Sequence, residues 1–142
     1  MRLISSLPLL LITAVVVLST TSAYALPPFK GAFDAKYVKK SDSEDLKAAF
    51  KAQSCNVCHV KGKKKNVQNR YGHELHEVLE DMLKEAKIEK GPKDLAKDAE
   101  GKKQLLEMLG KAFDAVAKMK AKNGTTYGEI LKGGQLPSQG DN

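Results

Sequence analysis

The 142-residue chain has no tryptophan, and aromatic residues make up only 6% of it. Its apolar core is therefore thin unless a large apolar group fills part of it. Nowhere does hydrophobicity alternate with a period of two over the length of a strand, so a sheet is excluded and one all-α domain is expected. Beyond residue 25 no hydrophobic segment approaches the ~20 residues that a membrane-spanning helix requires, so the mature chain should contain no membrane span. With only two cysteines present, no site that needs a third thiol can be built.

What is present begins at the N-terminus. Arg2 precedes an apolar run from Leu7 to Leu18, followed by small residues that end in Ala23-Tyr24-Ala25. This is the pattern of a secretory signal peptide with an A-x-A cleavage site. An uncleaved anchor is the alternative, but the run is shorter than a bilayer-spanning helix. The expected organisation is a cleaved leader over 1–25, one domain over 26–137 and a frayed tail over 138–142. The formal net charge is +7, and loss of Arg2 with the leader lowers it by one. A basic surface suits an acidic protein partner, an anionic membrane or nucleic acid; export to the periplasm, or an equivalent extracytoplasmic compartment, removes the case for nucleic acid.

Periodicity places the helices. Pro27-Pro28 opens a segment with Phe29, Phe33 and Tyr37 at helical spacing. Ser41-Asp42-Ser43-Glu44 reads as a capping box that launches a helix with Leu46, Ala49 and Phe50 on one face, running into Cys55. A helix from about His73 to Lys87 carries Leu75, Val78, Leu79, Met82 and Leu83. After the break at Gly91-Pro92, a short helix follows from Asp94. A longer one from Lys102 to Lys122 is the natural partner for the helix ending at Cys55. Thr125 should cap a last short helix through Lys132.

The most informative residues are Cys55-Asn56-Val57-Cys58-His59. Two thiols one turn apart can each add across one of the two vinyl groups at a haem edge, and the adjacent imidazole can ligate the iron. On these residues the chain resembles the c-type cytochromes, and the resemblance implies one covalent haem c anchored by Cys55 and Cys58, with His59 as proximal iron ligand. The expected fold is then a small cytochrome c-like helical domain wrapped around that haem. One departure is visible: common small cytochromes c carry an aromatic residue four positions before the first cysteine, whereas Phe50 lies five before Cys55. Arg70 and Tyr71 are candidate partners for the haem propionates, since guanidinium and phenol groups donate to carboxylates; a simple capped helix start is the alternative. In common small cytochromes c a short loop at this separation supplies the carbonyl that hydrogen-bonds the proximal histidine, and the resemblance implies that role for the region of residues 69–72.

Two other constellations compete. Cys55, Cys58, His73 and His76 resemble a zinc-finger spacing, although the histidines are closer together than usual and His59 would be coincidental. A Cys-x-x-Cys redox disulfide would need a βαβ setting that the chain lacks.

The sixth iron ligand decides what such a haem does, because methionine, histidine and an open position lead to high potential, low potential and gas binding respectively. Met108 is the first distal candidate, from its separation from His59; Met82, Met119 and His76 are the others, with His73 beside the last. All three methionines also read as core. Exposed Lys61, Lys63, Lys64 and Lys65 follow the motif and suit docking of an acidic redox partner, with a solvated turn as the alternative.

A narrower resemblance rests on Cys55-Asn56-Val57-Cys58-His59-Val60, the lysine-rich loop, Asn69-Arg70-Tyr71-Gly72 and the terminal Thr126-Tyr127-Gly128-Glu129-Ile130-Leu131-Lys132-Gly133-Gly134. Together these look like small exported monohaem cytochromes of planctomycete bacteria, including anaerobic ammonium oxidisers. Some of those proteins form heterodimers and use a distal cysteine that permits nitric oxide or carbon monoxide to bind. A heterodimer with a related cytochrome is thus an expectation from the resemblance, while cysteine ligation does not carry over. The expected role is one-electron transfer by a non-enzyme; gas binding or redox sensing is the alternative, and a peroxidase would need His73 or His76 over an open iron.

Overall fold

The computed structural model describes residues 26–141. The expected leader and its cleavage point lie outside the described residues, as does Asn142. Helix α1, Pro27–Phe33, starts on Pro27-Pro28, where a missing N–H leaves no intrahelical bond unmade. It winds directly into a π-helical turn, Asp34–Val38. From that turn Tyr37 Oη donates to the Phe113 carbonyl at 3.0 Å, and Lys36 Nζ reaches the Gly110 carbonyl at 3.1 Å and Asp114 at 2.8 Å. Burial, with Asp114 adding to it, pushes the Tyr37 phenol up to about 12.

Helix α2 spans Glu44–Gln53 and is capped by Ser43, whose Oγ accepts from Leu46 N at 3.2 Å. The cap thus lies two residues beyond the expected box: Ser41 instead accepts from Ser43 N at 3.1 Å and orients the capping residue. Helix α3, Arg70–Glu85, begins three residues before the expected His73 because Asn69 caps it. Helix α4 is the short Pro92–Leu95. Helix α5, Ala99–Val116, starts at the Asp98 cap, where Oδ1 accepts from Gly101 N at 2.7 Å. Its end at Val116 precedes the expected Lys122. Helix α6, Tyr127–Lys132, is capped by Thr126 in a reciprocal box with Glu129, one residue after Thr125.

The fold is all-α. Among the described residues there is no strand, only two isolated bridges. None of the described helices is long and apolar enough to cross a membrane.

Helices α3 and α5 are the central pair, with α1 and α4 against α5. Leu75, Leu79 and Leu83 of α3 and Leu105, Leu109, Ala112 and Val116 of α5 are all buried in one core. Helix α2, expected to partner α5, packs instead on the π-helical turn and on the turn that follows it. Phe33 joins the two regions. Its ring stacks on Phe50 at 5.6 Å and meets Phe113 and Tyr71 edge-on at 5.9 and 6.2 Å.

The C-terminal residues, expected to fray from 138, are docked. Pro137–Gln139 forms a 3₁₀ turn, the Gly140 carbonyl accepts from Asn123 N at 3.1 Å, and Asp141 accepts from Lys122 N at 3.2 Å. Tyr127 Oη, fully buried as a residue, donates to both Asp141 oxygens at 3.1 Å. Gly140 has no side chain because a Cβ there would overlap Ile130 and Ala121. Removing residues 137–142 is therefore expected to cost about 2–3 kcal/mol, from several hydrogen bonds worth ~1 kcal/mol each. Denaturant unfolding of the shortened chain, with a midpoint well below that of the full chain, is the check.

Candidate functional site

The site grows from a break in the backbone. Helix α2 ends at Gln53, Ser54 takes the left-handed φ of 48°, and Ser54–Val57 forms a separate 3₁₀ turn. Helix α2 thus does not carry the cysteines itself. The extra residue between Phe50 and Cys55 is absorbed at Ser54, in a conformation that is costly for a non-glycine residue. The N–H groups of Cys58 and His59 both donate to the Cys55 carbonyl, at 3.3 and 3.2 Å. Cys55, Cys58 and His59 therefore share one tight turn.

From His59 the chain makes a basic loop and returns. Val60 N donates to the Val67 carbonyl at 3.0 Å, Gly62 supplies a φ of 77°, and His59 bridges to Gln68. Residues 61–67, with their lysines, are all exposed.

Asn69 then locks the loop's two ends together. Its Nδ2 donates to the carbonyls of Asn56 at 3.2 Å and Val57 at 2.9 Å, while its Oδ1 accepts from Gly72 N at 2.8 Å. Its own N–H donates to the Cys58 carbonyl at 3.1 Å. One side chain thus caps α3 and holds the cysteine turn. Gly72 makes this approach possible, because a Cβ there would overlap the Cys58 carbonyl oxygen.

The turn forms part of the wall of a cavity of about 410 Å³, within the ~300–1,000 Å³ range of small-molecule and cofactor sites. Cys55, Cys58 and His59 line it together with Leu26, Phe29, Phe33, Phe50, Val57, Leu75 and Phe113. Phe50 therefore occupies the wall despite its shifted spacing. Lys30, Lys65 and Lys93 are also in the lining, and no aspartate or glutamate is.

Burial, together with the neighbouring Cys55, pushes the Cys58 thiol up to about 12. That is the opposite of the lowered thiol pKa on which redox disulfides rely. His59 is shifted down from its ordinary value, first by burial and then by the Lys65 charge, with the Val67 backbone pulling the other way. The shift favours the neutral imidazole, the form that binds a metal. Its Nδ1 is buried and makes no hydrogen bond of normal geometry.

No protein-family model, curated protein or solved structure matches this chain.

The remaining expected residues divide sharply. Among the distal candidates only His76 lines the cavity; Met82, Met108 and Met119 are partly buried in packing against the core. His76 Nε2 lies 3.1 Å from Glu80 Oε1, and His73, largely exposed, faces Glu77 at 3.4 Å. Among the described residues no three histidine, cysteine or acidic groups are gathered as a metal site, so the zinc constellation is not assembled. Arg70 and Tyr71, expected beside propionates, are absent from the lining. Arg70 leans toward Glu74 at 3.6 Å. Tyr71 is 1% exposed, its ring 5.0 Å from that of Tyr127, and its buried hydroxyl has no partner. Burial, with Cys58 adding to it, holds its pKa well above the ordinary phenol value.

Sequence reasoning expected only a backbone carbonyl from the region of Asn69 and missed the Asn69 side-chain bonds and the close approach at Gly72, although a capping residue followed by glycine at the third position after it was visible. Replacing Asn69 with alanine is expected to cost about 2–3 kcal/mol, and Gly72→Ala about 2 kcal/mol or more through overpacking. Equilibrium unfolding of each variant measures the loss.

Proposed function

We propose that this chain carries one covalent haem c, joined by thioether bonds at Cys55 and Cys58 with His59 as an axial iron ligand, and acts as an exported one-electron carrier. The observation that supports this most directly is that all three residues line a single cavity whose other walls are mainly apolar. A neutral imidazole and two thiols on one turn form a donor set that fits such a group. When bound, the haem supplies a one-electron Fe(III)/Fe(II) couple.

The chain's own residues account for the rest of the role. Cys55 and Cys58 anchor an apolar macrocycle by its edge, and the Asn69 lock keeps that turn rigid while His59 is held against it. Phe33, Phe50 and Phe113 exclude water from the interior wall, which limits the reorganisation that a change of charge demands. The exposed Lys61, Lys63 and Lys64 attract an acidic redox partner to the loop that follows the cysteine turn. A heterodimer with a related cytochrome remains part of the proposal on sequence resemblance alone.

A second reading, gas binding or redox sensing, is favoured by one observation: none of the described methionines Met82, Met108 and Met119 lines the cavity. With His76 as the lone distal candidate in the lining, its tie to Glu80 decides between a histidine-ligated carrier and an open iron.

A pyridine haemochrome assay on protein matured with the haem-attachment machinery should give one haem per chain, and C55A/C58A should lose it entirely. Absence of covalent haem in the wild-type protein would overturn the proposal. The ferric spectrum should lack the far-red sulfur-to-iron band. In a histidine-ligated carrier the ferrous protein binds carbon monoxide only after His76→Ala; ready binding by the wild type selects the gas-binding reading.

A further inference from the structure

The cavity's polar rim is unusual in sign. Lys30 comes from α1, Lys65 from the loop after His59 and Lys93 from α4, and these segments, far apart in sequence, bring their ammonium-bearing side chains to the lining of one cavity. Among the described residues no aspartate or glutamate shares that lining. The absence is notable in a chain with 17 acidic residues.

Eight of those acids form ion pairs away from these three lysines. Among the described residues none of the three lysines has a carboxylate within salt-bridge distance, whereas Lys36, Lys39, Lys47, Lys84 and Lys97 all do. Asp94, next to Lys93 in the chain, is taken by Lys97 at 2.6 Å. The one lining group with an acidic partner is His76, on Glu80. Apolar walls that share their lining with three lysines and no acid among the described residues suit an occupant that is apolar in its body and anionic at its edge.

We infer that Lys30, Lys65 and Lys93 are the residues that hold the carboxylates of the cavity's occupant, the two propionates, in place of Arg70 and Tyr71. The inference rests on the haem reading but is separable from it. The lysines are positioning residues: they would bind the anionic groups of the occupant and so set how it lies in the cavity. Arg70 is turned to Glu74, and Tyr71 is sealed in the core.

The test uses the holoprotein. Resonance Raman spectra of the ferric form report hydrogen bonding to propionates through their bending bands. In the triple variant K30A/K65A/K93A those bands should shift toward the position seen for solvated propionates, while K63A/K64A, in the same loop but outside the lining, should leave them at the wild-type position. Each single variant should give part of the shift. Bands unmoved in the triple variant, or moved equally by K63A/K64A, would overturn the assignment. Haemochrome assays on the same samples keep the two ideas apart, because haem content in the wild type tests attachment and band position tests the lysines.

Discussion

The rest of the molecule depends on the seating of the N-terminus of α3 against the backbone of the cysteine turn. Asn69 joins the two through three side-chain hydrogen bonds and one from its own N–H, and Gly72 removes the only atom that would hold them apart. The short 3₁₀ turn is thereby fixed to the N-terminus of α3, whose apolar face carries Leu75, Leu79 and Leu83. Since α3 packs on α5, and α5 carries α1, displacement at Gly72 would propagate to the whole helical core. The fold and the site therefore share one fastening.

They also share their atoms. Phe33, Phe50, Val57, Leu75 and Phe113 belong both to the buried core and to the cavity wall. In a chain without tryptophan this is economical, because the aromatic cluster around Phe33 packs the interior and shapes the cavity at once. An occupant that rests on those rings contributes to the packing of the domain as well as to its chemistry, and its binding free energy adds to stability by linkage.

How much of this was legible beforehand depended on the range of the interaction. The all-α class and the approximate positions of the helices followed from local periodicity. Helix boundaries moved where one polar side chain chose between neighbouring caps: Ser43 over Ser41, Asn69 over a start at His73, Thr126 over Thr125. The cysteine turn was legible as a unit because its residues are contiguous. What surrounds it was not, since Lys30, Lys93 and Phe113 reach the cavity from α1, α4 and α5, and no local pattern encodes that convergence. The tail misled for a related reason. Its glycine, serine and aspartate look like a solvated end, but Gly140 and Asp141 find partners in Ile130, Lys122 and Tyr127 that are distant in sequence.

The same geometry explains why spacing alone was a poor guide to a distal residue. Phe113 is the α5 side chain that reaches the cavity, and Met108, five residues earlier, is turned about 140° away around the helix. On α3, Gly72, Leu75 and His76 line the cavity at positions i, i+3 and i+4. Met82 lies about 9 Å farther along the axis than His76, at 1.5 Å per residue. Met119 follows the end of α5 and packs against the core. Met108 was a candidate by its count of residues from His59, yet rotation and rise along the helices bring His76, and none of the methionines Met82, Met108 and Met119, to the lining. Its imidazole sits beside Glu80 at 3.1 Å, so the same residue that faces the cavity is also held by a surface carboxylate. On the proposed reading, any role for His76 toward the occupant of the cavity is set against this contact with Glu80.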